Sequence, residues 1–249
     1  MVTCKTYGRM GNFLFQVAAT IGYAKKHHLD FTIPSTTKDA FNNPIYLQHL
    51  VNRKYVNRLP EVLITEDSHA FHEIAFDEAW RFNRNIILDG YWQSEKYFIE
   101  YRDDVLALFN YKHATIPNTV SVHVRRGDYV RLTQKHPPVP AAWYEEAMSK
   151  FPGARFMFFS DDIAWCQEQF RNHRNVQFNI GNTIEQDLVA MSCCEHNISS
   201  ASTFGWWGAW LNRNPDKRVV LPSRWFMPRE EAKLDTSDIV PTEWERIPN

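Results

Sequence analysis

From Thr119 onward the chain alternates, at short intervals, between apolar runs of strand length and segments with helical periodicity. The reading is strand Val120–Val124, helix Ala141–Lys150, strand Arg155–Phe159, helix Ile163–Arg171 and strand Val176–Phe178. Helix Ile184–Cys194, strand Asn197–Ser199, helix Phe204–Asn212 and strand Arg218–Leu221 complete it. Strands and helices in strict succession with short links build a parallel, doubly wound, Rossmann-like sheet, because each crossover helix must cover a face of that sheet. The expected class is therefore α/β.

The start of the chain carries one more unit of the same kind. Val2–Tyr7 reads as a strand, Gly8-Arg9-Met10-Gly11-Asn12 breaks it, and Phe13, Val17, Ile21 and Ala24 line one face of a following helix. Asp30–Ile33, ending at Pro34, reads as the next strand. Residues 35 to 85 read as irregular, with Pro44 and Pro60. Asn85–Trp92 then reads as a buried strand and Glu95–Phe109 as a helix. Tyr111–Asn118, with Pro117, reads as a connector, so two domains are expected, 1–115 and 116–249.

Open α/β sheets bind ligands at the carboxyl ends of their strands. Directly after the strand Val120–Val124 stand Arg125-Arg126-Gly127-Asp128-Tyr129. Planar guanidinium groups match phosphate oxygens with paired hydrogen bonds, which suits a nucleotide diphosphate. In glycosyl transfer that diphosphate leaves, and its growing charge must be met by a metal or by fixed cations and amides. The alternative for Arg125 and Arg126 is structural ion pairing with Asp128, Asp161 or Asp162. Arg126-Gly127-Asp128 also matches an adhesion tripeptide, which would need an exposed loop on a secreted chain.

Composition argues against other classes. The formal net charge is −1, from 28 Lys and Arg against 29 Asp and Glu, so no global field draws the chain to nucleic acid. The first residues lack the apolar core of a signal peptide, and no stretch approaches the ~18 apolar residues of a membrane span. The expected location is the cytoplasm, with peripheral membrane association left open. Cys193 and Cys194 are neighbours within a helical pattern, and the four cysteines read as reduced structural thiols. The sequon at Asn197 falls in an apolar stretch and reads as buried. Trp206, Trp207 and Trp210 read as core before sugar platform, and His196 as an interior histidine.

Several runs occur together: Gly8-Arg9-Met10-Gly11-Asn12-Phe13-Leu14-Phe15-Gln16, Gly90-Tyr91-Trp92-Gln93-Ser94, His123–Tyr129, Phe159-Ser160-Asp161-Asp162, Asp187–Ile198 and Ser202–Leu211. In this order and at these separations they resemble the α-1,2-fucosyltransferases of glycosyltransferase family 11, over nearly the whole chain. The resemblance implies a two-domain GT-B-type protein with an acceptor-side N-terminal half and a nucleotide-sugar-binding C-terminal half. It also implies inverting transfer from GDP-fucose to a galactose-ended glycan, with no divalent metal and no cofactor.

By the same likeness Arg125 and Arg126 contact the diphosphate, His123 and Asp187 lie near guanine, and Ser202 and Thr203 meet phosphate oxygens. Asp161, Phe204, Arg9, Gly11 and Asn12 are expected around GDP-fucose. A carboxylate can accept bonds from N1 and N2 of guanine, which adenine cannot supply, and Asp187 is the residue assigned that task. An inverting transfer needs a group to take the acceptor proton, and Asp128 is the candidate base, with Asp161, Glu95 and His136 as alternatives. Two departures stand out: Ala201 where many family members have Asn, and Gly205 where Ser is common.

Overall fold

The structure, a computed structural model, describes residues 1–33, 59–109, 113–136, 139–231 and 233–249. The chain divides into two compact units, Met1–Asn110 with Leu234–Pro241, and Tyr111–Lys233 with Thr242–Asn249. The break thus falls at residue 110, and a short segment near the carboxyl end returns to the first unit.

The first unit is built on a three-stranded parallel sheet of β1 (Val2–Cys4), β2 (Glu61–Thr65) and β3 (Asn85–Asp89), in the order β1-β3-β2. Helix α1 (Met10–Lys26) follows β1 and buries Phe13, Val17, Ile21 and Ala24, the face its periodicity marks. The helix ends where Lys25 and Lys26 complement its dipole and His28 turns to a left-handed φ of 52°. The expected strand Asp30–Ile33 amounts to a single parallel bridge between Phe31 and Val2. Pro34 and Pro44 lie outside the described residues.

Two expectations in this unit fail for a shared reason. The strand expected to run to Trp92 stops at Asp89, and the helix expected over Glu95–Phe109 is two 3-10 turns, Glu95–Tyr97 and Ile99–Tyr101. These are followed by the short helices' only α segment there, α3 (Arg102–Leu106), the four-residue α2 (Trp80–Asn83) having come before β3. Trp92, Tyr97 and Phe98 all bury their rings. The main chain at 97–98 lies so close to α1 that a Cβ at Gly22 would stand 2.0 Å from the Tyr97 carbonyl oxygen. A regular helix there would lift these rings off α1, so the burial of three aromatics overrides the local helical pattern.

The second unit carries a six-stranded all-parallel sheet of β4 (Ile116–Val124), β5 (Arg155–Ser160), β6 (Val176–Phe178), β7 (Cys194–Ser199), β8 (Val219–Pro222) and β9 (Glu245–Ile247). Their order is β6-β5-β4-β7-β8-β9. Renumbered from β4, this is 3-2-1-4-5-6, the doubly wound order, and the direction of winding reverses between β4 and β7. Helices α4 (Ala141–Ser149), α5 (Ile163–Phe170), α6 (Ile184–Cys193) and α7 (Thr203–Trp210) supply crossovers, and α8 (Pro228–Glu231) follows β8.

β4 is central and buried on both faces, so its polar residues must be satisfied within the sheet. Ser121 accepts from Asn197 Nδ2 at 2.7 Å, and the same amide donates to Met191 O at 2.9 Å. Asn197 is therefore an interior residue, with no surface for a glycan. β4 begins at Ile116, inside the expected connector, with an irregular ladder between Ile116 and Val120 and Asn118 at φ 52°. α7 is apolar all round and buries Trp206, Trp207 and Trp210 as core, Trp206 stacking on Trp210 at 6.1 Å. Cys4, Cys166 and Cys194 are buried free thiols, their pKa values pushed up to about 11, 11 and 12 by burial. Among the described residues no helix is long and apolar enough to cross a membrane.

The tight seat of Gly22 yields a test of the first unit. Gly22→Ala must force α1 away from the 97–98 chain, and overpacking of this kind costs about 1–3 kcal/mol. Urea denaturation of the variant should show a lowered midpoint of that size; an unchanged midpoint would mean that α1 and this chain are not packed as described.

Candidate nucleotide-sugar site

The reversal of winding between β4 and β7 leaves a crevice at their carboxyl ends, and the chain places there the residues the sequence points to. His123 and Val124 end β4, and Arg125 and Arg126 follow at once. Ser199 ends β7, and Ser200, Ala201 and Ser202 lead into α7. Arg125 N–H donates to Ser200 Oγ at 3.0 Å, which ties the two strand ends together.

The two arginines are held by the three aspartates weighed as their structural partners. Asp161 sits at the end of β5 and accepts twice: Oδ1 takes the Arg126 backbone N–H at 2.9 Å, and Oδ2 takes Arg125 Nη1. Asp162 accepts from Arg126 Nε at 3.0 Å while its other oxygen caps α5 at Trp165 N, 3.2 Å. Asp128, on the 3-10 turn Gly127–Val130, bonds Arg125 Nη2 through Oδ1. Gly127 is required here, since a Cβ would lie 2.3 Å from Asp161 Oδ2.

Aromatic rings back both cations. The Arg126 guanidinium lies 4.0 Å from the centre of the Trp165 ring, and that of Arg125 lies 5.2 Å from the Tyr129 ring. Tyr129 in turn stacks flat on His136 at 4.0 Å and 7°, and His136 meets Phe226 at 5.2 Å. Arg125 thus heads a column of stacked rings. The side chains of Arg125 and Arg126 remain 12% and 19% exposed. Among the described residues Arg126 pairs with a carboxylate through Nε alone.

Ion pairing and anion binding are compatible when carboxylates fix the orientation of a guanidinium that has five donors. Asp161 and Asp162 are themselves locked, by a backbone N–H and a helix cap. Asp128, on the 3-10 turn that follows the arginines, is 33% exposed. Of the other candidate bases, His136 is wedged between rings, and burial, then Lys135, lowers its pKa to about 4. Glu95 belongs to the first unit.

His123 is buried rather than presented to a base. Its Nδ1 lies 3.4 and 3.3 Å from the hydroxyls of Ser199 and Ser200, and its ring packs on Phe204 at 5.6 Å. A Cβ at Gly205 would fall 1.9 Å from Ser199 Oγ and 2.6 Å from His123 Nδ1. Gly205, the departure from Ser, is thus what lets α7 close over the histidine. Ala201 is buried, and its carbonyl accepts from Tyr129 Oη at 3.3 Å, a bond made by main chain alone.

Ser202 occupies the N-cap of α7 without a side-chain capping bond, and Thr203 and Phe204 stand in the first turn, after the end of β7, where amides and dipole favour an anion. Asp187 stands in the first turn of α6, whose N-terminus is closed by a capping box of Thr183 and Gln186. Its Oδ1 accepts from Asn179 Nδ2 at 2.5 Å, and burial raises its pKa against the pull of Asn182 and Asn179.

Arg9, Gly11 and Asn12 lie in the first unit, at the turn from β1 into α1. Arg9 is the N-cap, Gly11 is buried in the first turn, and Asn12 Oδ1 accepts from Gln93 Nε2 at 3.0 Å. Gly8 takes φ 71° and presses on Asn12. Sequence reasoning passed over Ser200, Tyr129 and Trp165. The N-cap position of Asp162, three residues before Trp165, is the signal from which Trp165 could have been placed beside the arginines.

His123 makes stability depend on pH. Burial, then Arg125, lowers its pKa to about 3, against 6.5 in an unfolded chain. A lowered histidine pKa contributes stability above the unfolded value, and this is lost as pH falls toward the folded value. From pH 7 to pH 5 His123 alone should remove about 2 kcal/mol. Urea titrations should show this loss in the wild type and less of it in His123→Gln; equal pH slopes would contradict the buried neutral ring.

Residues 1–247 match the family described as glycosyl transferase family 11. Over 180 residues the chain is 33% identical to an alpha-1,2-colitosyltransferase of Escherichia coli, covering 64% of this chain and 61% of that protein. Over 204 residues it is 31% identical to the O-antigen biosynthesis glycosyltransferase WbnK of Escherichia coli, covering 72% and 65%. A galactoside alpha-(1,2)-fucosyltransferase 2 of Oryctolagus cuniculus is 36% identical over 107 residues, 38% of this chain and 30% of that one. The aligned regions thus span just under two thirds of the first two relatives. The fold is shared with POFUT1 in complex with GDP, at a TM-score of 0.52 and 12% identity, covering 88% of this chain and 97% of that one, which makes it a GT-B-type α/β fold. The chain belongs to glycosyl transferase family 11.

Proposed function

We propose that the protein transfers fucose from GDP-fucose to the 2-hydroxyl of a galactose at the end of a glycan, with inversion and without a divalent metal. We place it in the cytoplasm, building a surface polysaccharide. The observation that carries this reading is the pair Arg125 and Arg126, oriented by Asp161 and Asp162 at the switch point of a doubly wound sheet. The relatives' names, an alpha-1,2-colitosyltransferase and galactoside alpha-1,2-fucosyltransferases, support the linkage.

The acceptor hydroxyl attacks the anomeric carbon as the bond to the β-phosphate oxygen breaks, and GDP leaves with the bonding electrons. The charge gathering on the diphosphate is met by the terminal nitrogens of Arg126, by Arg125 and by the first amides of α7. Asp187 accepts from guanine.

Asp128 has two tasks in turn. Without donor it neutralises Arg125. With donor bound, it takes the acceptor proton. Asp128→Asn removes the base, so kcat should fall by about 10²-fold or more while GDP binding changes little. Weaker GDP binding with unchanged kcat would reduce Asp128 to a support for Arg125.

Release of GDP from GDP-fucose with a galactosyl acceptor in EDTA tests the whole reading. Turnover should persist in chelator and require the acceptor; dependence on manganese, or equal use of UDP-sugars, would contradict it. Asp187→Asn should weaken GDP binding by about 10-fold or more, equivalent to ~1.4 kcal/mol, and leave little preference over ADP. A second reading rests on the colitosyltransferase relative: the donor is GDP-colitose, whose sugar is fucose without its 3-hydroxyl. Donors compared side by side, and the product linkage by NMR, decide between the two.

A further inference from the structure

The carboxyl edge of the first unit's sheet holds a second construction. Three loops meet there, those after β1, β2 and β3. Glu66, the residue after β2, directs its carboxylate to the loop after β3: Oε2 accepts from Tyr91 N–H at 2.6 Å and Oε1 from Trp92 N–H at 2.9 Å. Gly90 is squeezed beneath it, since a Cβ there would lie 2.3 Å from Glu66 Cβ. Trp92 adopts φ 54°, a conformation costly for a bulky residue, and turns its ring fully into the core against Tyr97 at 5.4 Å.

A half-buried carboxylate, a constricted glycine and a left-handed tryptophan all fix the position of one side chain between them, Tyr91. Strain that the surroundings over-determine marks places where a fixed geometry is used. Tyr91 lies 6.2 Å from Tyr7 at 56° and 5.9 Å from His69 at 43°, so three rings cluster about Tyr91, tilted against one another. Tyr7 is 38% exposed, although its hydroxyl is anchored on Asp89 Oδ1 at 2.7 Å. Lys5 Nζ reaches Asp89 Oδ2 at 2.6 Å, which sets a carboxylate and an ammonium at one end of the rings.

We propose that the rings of Tyr91, Tyr7 and His69, with Asp89 and Lys5 beside them, are the binding platform for the terminal hexopyranose of the glycan acceptor. This deepens the function proposed above and rests on it for the choice of sugar. Galactose has its 4-hydroxyl axial, which leaves one ring face a patch of C–H groups suited to an aromatic surface. The hydroxyls around the rim find a carboxylate and an ammonium. Few polar groups beside a fixed apolar surface is the usual composition of a small-ligand site. Glu66 is a positioning residue, acting through the Tyr91 and Trp92 amides.

Saturation-transfer NMR with methyl β-galactoside and the GDP-loaded protein reads this without turnover. The sugar signal should be present in the wild type, kept in Tyr91→Phe, and weakened about 10-fold or more in affinity in Tyr91→Ala and Tyr7→Ala. A circular dichroism spectrum and a cooperative urea transition like the wild type's establish that each variant is folded. An unchanged galactoside signal in both alanine variants, or no sugar signal from the wild type, overturns the platform. A signal from another hexose but not galactose, lost in Tyr91→Ala, keeps the platform and refutes the galactose assignment. Sugar binding that depends on Tyr91, in a protein that turns over no GDP-sugar, keeps the platform and refutes the transferase reading.

Discussion

The bond on which the candidate site depends is the two-fold grip of Asp161. One oxygen fixes the Arg126 main chain and the other fixes the Arg125 guanidinium, so a single carboxylate at the end of β5 sets the geometry of the loop after β4. Its neighbour Asp162 performs a matching task, holding Arg126 Nε while starting α5. The adjacency of two aspartates at a strand end thus couples helix initiation, the path of the arginine loop and the direction of two cations. Gly127 follows as a necessity, because no side chain fits against Asp161.

The second unit was largely legible because its sheet is parallel and central strands are buried on both faces. Each strand is then a short apolar run, and each crossover a helical period. The only strand passed over there is β9, three residues long at the sheet's edge, too short to carry a pattern. The first unit was less legible. β2 lies in a stretch read as irregular; its burial alternates, but Leu63 faces outward at 52% exposure, so the apolar run Val62-Leu63-Ile64 carries no alternation in sequence. The 3-10 turns between Ser94 and Arg102 follow from a contact with Gly22, more than 70 residues earlier in the chain, which no local window contains.

The site was legible in its residue types and less so in their roles. The position of Arg125 and Arg126 at a strand end pointed to an anion, and their three acidic partners were named as the structural alternative. What pattern alone could not supply is that Arg126 pairs through Nε while Arg125 is held through both terminal nitrogens, since that turns on the folded geometry. His123 is adjacent to the arginines in sequence but is an interior residue, roofed by α7 because Gly205 has no side chain. The tryptophans of α7 show the opposite case: their apolar surroundings alone sufficed to read them as core.

The central claim is that the paired arginines grip a diphosphate, and calorimetric titration with GDP and GMP tests it most directly. The account predicts that GDP binds about 100-fold more tightly than GMP, a difference of ~2.7 kcal/mol, and that Arg126→Ala removes most of that difference while leaving GMP affinity nearly unchanged. Equal affinities for GDP and GMP in the wild type, or a difference that survives Arg126→Ala, would contradict it.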